Sequence, residues 1–341
     1  MKKLLLGTTA LVLLSGAAVA QQVNTKSPFT VSLNGSMRYN FAFFDQDASG
    51  VNRESSIDSR ILLTAEAKAD NGLTYGYMGR LRSGATGIAA GALGLDYSYI
   101  YASGTWGQVM LGDHSGALTQ LEVIAPTVGI GQADQIGFLD AGNASLFWAS
   151  EDTPFTRTTY ITPSFSGFQA AVSYAPEQDI KQTRSIAAPG GAYQDIFEIA
   201  ASYTGEFGDF GLKVGAGYEF SGRGTAANDY QLYNIGIVGT YAGFSLGASF
   251  YDNGEYQGVN TDQYGWAVGL TYEVGSWAVG ASYNRVKTDL GAGDSIDQIF
   301  GVGGAYQLAP GLSLQADVIG TDAETSNNEG WGVVMRTRVD F

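Results

Sequence analysis

The sequence predicts an all-β chain: a transmembrane antiparallel up-and-down β-barrel of sixteen strands with a long third loop folded into the lumen. Three observations carry that prediction. Apolar and polar residues alternate with a period of two along most of the chain, as in strands with two unlike faces. Glycine makes up 48 of 341 residues, about twice its usual share, beside 20 tyrosines, 17 phenylalanines and only 7 prolines. Disordered chains are poor in aromatics, so this mixture fits many strands joined by tight turns. Lastly, the connections alternate between short and long.

At the start of the chain, Lys2 and Lys3 precede an apolar run from Leu4 to Leu14, and Ala18-Val19-Ala20 forms an A-x-A site. The run is too brief to span a hydrocarbon core of ~30 Å. Residues 1–20 therefore read as a signal peptide cleaved before Gln21, with export through the Sec pathway. Residues 21–341 read as a single barrel domain. Removing Lys2 and Lys3 lowers the basic count from 18 to 16 against 33 acids, so the mature charge is −17. That balance argues against nucleic-acid binding, which needs basic surface. With no cysteine, an exported chain of this size is held by burial or backbone pairing.

The first strand alternates Phe29, Val31, Leu33, Gly35, Met37, Tyr39, Phe41 and Phe43 with Thr30, Ser32, Asn34, Ser36, Arg38, Asn40 and Ala42. The second sets Ile57, Ile61, Leu63, Ala65 and Ala67 against Asp58, Arg60, Thr64, Glu66 and Lys68. The third sets Leu73, Tyr75, Tyr77 and Leu81 against Thr74, Met78, Arg80 and Arg82. Further strands are predicted near 93–102, 105–113, 156–163, 167–175, 196–204, 210–220, 230–241, 243–251, 263–273, 276–286, 297–308, 311–320 and 330–341. Short turns such as Asp70-Asn71-Gly72, Ala242-Gly243 and Pro310-Gly311 have the turn residues that tight reversals need. Long loops are predicted at 44–56, 83–92, 114–155, 176–195, 221–229, 252–262, 287–296 and 321–329. Every long loop falls on one side, which is the habit of outer-membrane barrels.

Sixteen strands enclose a lumen too wide for side chains to fill. The face carrying Arg38, Arg60, Glu66, Arg80, Lys213 and Glu219 mid-strand therefore lines water, and the apolar face meets lipid. Aromatics sit where interfacial belts need them: Tyr39, Phe41 and Phe43; Tyr97, Tyr99 and Tyr101; Tyr264, Trp266, Tyr272 and Trp277. In the last strand Trp331 and Phe341 lie about ten residues apart, one crossing of a tilted strand.

An export signal, sixteen alternating strands, an outsized third loop and a terminal phenylalanine together resemble a Gram-negative general porin. The glycine-rich, acidic, cysteine-free chain is most similar to the alpha-proteobacterial porins of the Rhodobacter type. The resemblance covers 21–341 and implies a homotrimer in the outer membrane that passes small hydrophilic solutes passively. It also implies that the third loop narrows the lumen and that Phe341 is read by the outer-membrane assembly machinery. Where enteric porins carry Pro-Glu-Phe-Gly-Gly in that loop, this chain reads Glu122-Val123-Ile124-Ala125-Pro126-Thr127-Val128-Gly129.

A passive pore needs a narrow zone and a field across it rather than a catalytic group. Arg38, Arg60, Arg80 and Arg82 share the polar register of the first three strands, so they should cluster on one wall. Porins of this type place a basic cluster there. Opposite should lie the third loop, about 114–155, with Glu122, Asp134 and Asp140 as its carboxylates. The acidic loops (Asp45, Asp47, Asp252, Glu255, Asp262, Asp289, Asp294, Asp322, Glu324 and Glu329) fit solubility at the cell surface. They also fit cation bridging to lipopolysaccharide or a structural Ca2+. The acidic mouth favours cations, and the lumen arginines oppose it. No cofactor is required.

His114, the only histidine, has Ser115 beside it, but a hydrolase needs nucleophile and base brought together across space, so a polar role in the lumen or loop is expected and no enzymatic one. Gly301 to Gly304 lacks the strand–turn–helix context of a phosphate loop. The alternative to general diffusion is a channel specific for a sugar or another small solute. Such a channel needs a line of lumen aromatics, whereas the lumen register here reads small and glycine-rich.

Overall fold

The computed structural model describes residues 28–47, 50–83, 93–129, 138–145, 154–178, 193–224, 228–254, 262–289, 291 and 293–341. The stretch read as a signal peptide lies outside them, as do Asp134 and Glu255. Among the described residues there are sixteen strands. These are β1 (Thr30–Gln46), β2 (Arg53–Lys68), β3 (Thr74–Ser83), β4 (Leu93–Gly104), β5 (Gly107–His114), β6 (Phe155–Ile161), β7 (Phe168–Glu177) and β8 (Tyr193–Phe207). There follow β9 (Phe210–Arg223), β10 (Tyr230–Tyr241), β11 (Phe244–Gly254), β12 (Gln263–Val274), β13 (Trp277–Asp289), β14 (Asp294–Ala309), β15 (Leu312–Ala323) and β16 (Asn328–Asp340).

Each strand pairs antiparallel with its chain neighbours, and β1 pairs with β16, so the sheet is a closed barrel. Closure leaves no edge and satisfies the backbone internally, as hydrocarbon demands. At the seam Ser36 to Gln46 face Asp340 to Gly330. Below it the Gly35 N–H donates to the Phe341 carbonyl (2.7 Å) and the Phe341 N–H donates to the Gly35 carbonyl (3.0 Å). The Phe341 ring covers the Cα of Gly35, where a Cβ would meet it at 2.6 Å. No helix among the described residues is long and apolar enough to cross a membrane.

The period of two resolves into two environments. Met37, Tyr39 and Phe43 are 43, 49 and 49 % exposed on the outer surface, whereas Arg38, Asn40 and Ala42 between them are 9, 0 and 0 % exposed inside. Large apolar side chains such as Ile237, Val302 and Val318 continue the outer band around the barrel.

Two expectations need correction. Strands run further than predicted on the long-loop side, so 44–56, 287–296 and 321–329 contract to connections at 47–52, 290–293 and 324–327. Beyond the lipid both faces meet water, so alternation fades while the backbone ladder continues. Asp322 directly opposite Glu329 shows such polar pairing.

The second correction concerns Tyr97, Tyr99 and Tyr101, which line the lumen instead of an interfacial belt. They stand opposite Arg80, Met78 and Gly76 of the lumen register. The register shifts between Arg80 and Leu81, where β4 carries one extra residue, Asp96. A bulge of this kind moves all later side chains to the other face. Leu95 before it and Ile100 after it therefore both face outward, although their positions differ in parity.

Candidate functional site

The arginine wall is built by register. Arg38 of β1 stands opposite Asp58 of β2, Ser36 stands opposite Arg60, and Arg60 stands opposite Arg82 of β3. Directly opposed residues share a face, so three guanidiniums converge on one carboxylate. Arg60 Nη2 lies 3.2 Å and Arg38 Nη1 3.7 Å from Asp58 Oδ2, while Arg82 Nε lies 3.8 Å from Oδ1. Arg80 does not join this group. It grips Asp96 with two hydrogen bonds, 2.8 and 2.6 Å, and lies 3.8 Å over the Tyr97 ring. On the other flank Arg338 of β16 stands opposite Arg38 and is held by Asp340, and Arg336 Nε donates to Asn40 (2.7 Å).

The third loop enters the lumen after β5 and crosses the far wall. Its first segment is a short helix, α1 (Ala117–Leu121), whose leading amides are met by the barrel. The Ala117 N–H donates to Ser173 Oγ (3.0 Å) and the Leu118 N–H to Glu198 Oε2 (2.9 Å). Glu198 is in turn ion-paired with the buried Arg157, which stacks on Phe155. A carboxylate on a helix N-terminus satisfies amides that have no partner within the helix.

Residues 121–129 then run along a track of glycines. Gly215 and Gly236 are direct partners on β9 and β10. So are Gly247 and Gly269 on β11 and β12, and Gly280 and Gly303 on β13 and β14. A Cβ on Gly215 would meet Val123 at 2.7 Å, and one on Gly280 would meet Val128 at 2.6 Å. A Cβ on Gly236 or Gly269 would collide with the carbonyl oxygen of Val123 or Pro126. Mid-strand glycine weakens a sheet by roughly 0.5–1 kcal/mol per residue. Here it opens the wall to a second layer of backbone.

The last described part of the loop, 138–145, packs at the loop-side end of β1 and β13 to β16. Phe138, Leu139, Ala141 and Ala144 join Ala42, Phe44, Val286, Ile299 and Ile319 in an apolar cluster inside the barrel. Asn143 N–H donates to Asp297 Oδ2 (2.8 Å), and Gln46 Nε2 donates to the Phe138 carbonyl (2.9 Å).

The predicted loop acids separate. Glu122 leaves α1 beside Asn234 of β10 (3.4 Å), and β10 is eight strands from β2 around the ring, across the lumen from the arginines. The Asp140 carboxylate accepts the N–H of Gly142 (2.9 Å), and its peptide is held by Gln46 and Asn328 at the loop-side end of β1 and β16. Asp134 lies outside the described residues. His114 is buried, with Nδ1 2.8 Å from the Ser115 carbonyl oxygen and its ring against Tyr99. Among the described residues no group of three or more carboxylates, histidines or cysteines could hold a metal ion.

Sequence reasoning missed Asp58, Asp96, Glu198 and Asp297 as organisers. Asp58, Glu198 and Asp297 sit on the polar register of their strands and Asp96 is the extra residue of β4, but only the side-chain contacts show what each one meets.

A closed sixteen-stranded barrel with an apolar outer band and a charged, loop-narrowed lumen is the architecture of a membrane pore. The chain belongs to the Gram-negative porin family, whose model matches residues 7–326. The chitoporin of Vibrio furnissii is 28% identical over 286 residues, 72% of this chain and 73% of that protein. Among solved structures, an anion-selective porin from Comamonas acidovorans superposes with a TM-score of 0.65 at 19% identity, covering 92% of this chain and 100% of that one. A mutant of the Rh. blastica porin gives 0.65 at 20% identity, covering 91% and 100%. The protein is an outer-membrane porin, a water-filled pore for passive passage of small hydrophilic solutes.

Proposed function

We propose that Arg38, Arg60 and Arg82, flanked by Arg80, form the basic wall of the constriction, and that the third loop supplies its acidic edge through Glu122 and Asp134. Asp140 acts nearer the outer entrance. Support comes chiefly from the glycine track, which seats the loop on the wall facing the arginines. Opposed charges across a narrow aqueous zone set a transverse field. That field orders water and favours dipolar solutes over apolar ones.

The protein acts as a channel and not as a catalyst, and as a homotrimer. Phe341 serves the assembly machinery as well as the seam, and the outer rim meets lipopolysaccharide. Single-channel recording in planar bilayers tests the core of this reading. Arg60→Ala with Arg82→Ala should raise conductance or shift selectivity toward cations, and unchanged currents would refute the constriction. Closure in three equal steps would report the trimer.

One observation favours a second reading, a channel with affinity for oligosaccharides. Tyr97, Tyr99 and Tyr101 line the lumen, with Tyr101 donating to Glu66 Oε2 (2.7 Å), and a chitoporin is among the relatives. Saturable block of current by a chito-oligosaccharide would support that reading, and linear flux would dismiss it.

A further inference from the structure

We propose that Asp58 sets the ion preference of the pore. Its carboxylate is a resident counter-anion shared by Arg38, Arg60 and Arg82, and it weakens their hold on passing anions. The inference deepens the constriction reading and rests on it.

Asp58 stands at the centre of the cluster: opposite Arg38, two residues before Arg60 on the same face of β2, and one strand from Arg82. The spacing shows sharing rather than a tight pair. Charge-assisted N–H···O bonds settle at about 2.7–2.9 Å. Among the described residues the arginine nitrogens nearest Asp58 are Arg60 Nη2 at 3.2 Å and Nε at 3.3 Å, then Arg38 at 3.7 Å and Arg82 at 3.8 Å. The neighbouring pair differs in every respect. Asp96 serves Arg80 through two short bonds, and its side chain is 5 % exposed. The Asp58 side chain is 20 % exposed, beside Arg60 at 22 % and Arg82 at 33 %. Asp96 and Arg80 form a closed pair, whereas the Asp58 side chain stays partly open to the lumen although its Oδ1 is buried.

Three adjacent guanidiniums without an internal anion would grip carboxylates and phosphates, since arginine binds both bidentately. A pore needs sites that bind weakly enough to release. An internal carboxylate competes with each passing anion and keeps the basic wall from becoming a trap. Nothing in the alternation of the sequence distinguishes Asp58 from any other polar-register acid; its role follows from the three arginines around it.

The test is Asp58→Asn, which keeps shape and removes charge, recorded as reversal potential in a KCl gradient. The chloride-to-potassium permeability ratio should rise roughly twofold near 0.1 M salt, and the effect should fade toward 1 M as screening shortens. Inorganic pyrophosphate should reduce the mutant current at concentrations that leave the parent protein unaffected. Asp58→Glu should restore the parent ratio, and Asp58→Ser keeps the test open if the amide does not fold. A purely structural role would lower the unfolding midpoint and leave the ratio in place. A folded, neutral variant with the parent ratio and no pyrophosphate effect overturns the proposal. A parent protein that conducts no ions would overturn the pore reading instead.

Discussion

The glycine track makes a prediction that can be worked from the structure. Consider Gly236→Ala together with Gly269→Ala. Each added methyl projects into the lumen, onto the carbonyl oxygens of Val123 and Pro126. A carbon–oxygen contact relaxes at about 3.3–3.6 Å, so the loop backbone must retreat by more than ~1 Å. The barrel wall cannot yield instead, because Gly236 pairs with Gly215 and Gly269 with Gly247 inside continuous ladders. The only free direction is toward the arginines, which narrows the water path. Overpacking of this kind costs roughly 1–3 kcal/mol, less the small gain from replacing mid-strand glycine. The expected result is lower single-channel conductance and a lower thermal unfolding midpoint, with the closed barrel intact by circular dichroism. Gly50→Ala is the control, since its Cβ would meet nothing within 4 Å. Parent-like conductance and midpoint in the double variant would refute the idea that the glycines seat the loop.

Three further outcomes are expected. Glu198→Gln leaves the buried Arg157 without its counter-charge and weakens the anchor of Leu118. It should cost about 3–5 kcal/mol, read from urea unfolding, and should give noisier open-channel current. Ile237→Arg places a charge on the outer band near mid-strand, at a position 49 % exposed to lipid. It should destabilise the folded barrel by about 2–4 kcal/mol in bilayer refolding, and a neutral result would contradict the face assignment. Gly35→Val would drive a side chain into the Phe341 ring and the Arg60 carbonyl, both 2.6 Å from the new Cβ. Its heat resistance on detergent gels should fall below that of the parent protein.

What the sequence disclosed is what lipid imposes. Between the two interfaces every second residue must be apolar, so strand number, turn sides and, outside β4, face assignment were legible. The arginines of β1 to β3 were legible for the same reason, as charges on a register that cannot meet lipid. Outside the hydrocarbon that constraint lapses. The upper parts of β13 to β16 therefore read as loops although their backbones stay paired. The tyrosines of β4 were misplaced by one extra residue at Asp96, a bulge that composition does not reveal. The path of the third loop was hidden by the ambiguity of glycine. Gly243 and Gly275 turn the chain at positive φ, whereas Gly236 and Gly269 give up a side chain to make room. One letter serves both purposes, and only partner register tells them apart.

The seam between β1 and β16 has a kinetic meaning. Its two strands come from opposite ends of the chain, so no local search brings Gly35 and Phe341 together. Loop-closure entropy of that kind slows folding. Until β16 docks, the other fifteen strands can form only an open sheet with two raw edges. In hydrocarbon each unpaired amide or carbonyl on those edges costs several kcal/mol. A partial barrel is thus no smaller version of the whole, and insertion and closure have to proceed as one event. Whether β16 docks on β1 decides whether the fifteen strands before it have a place in the membrane.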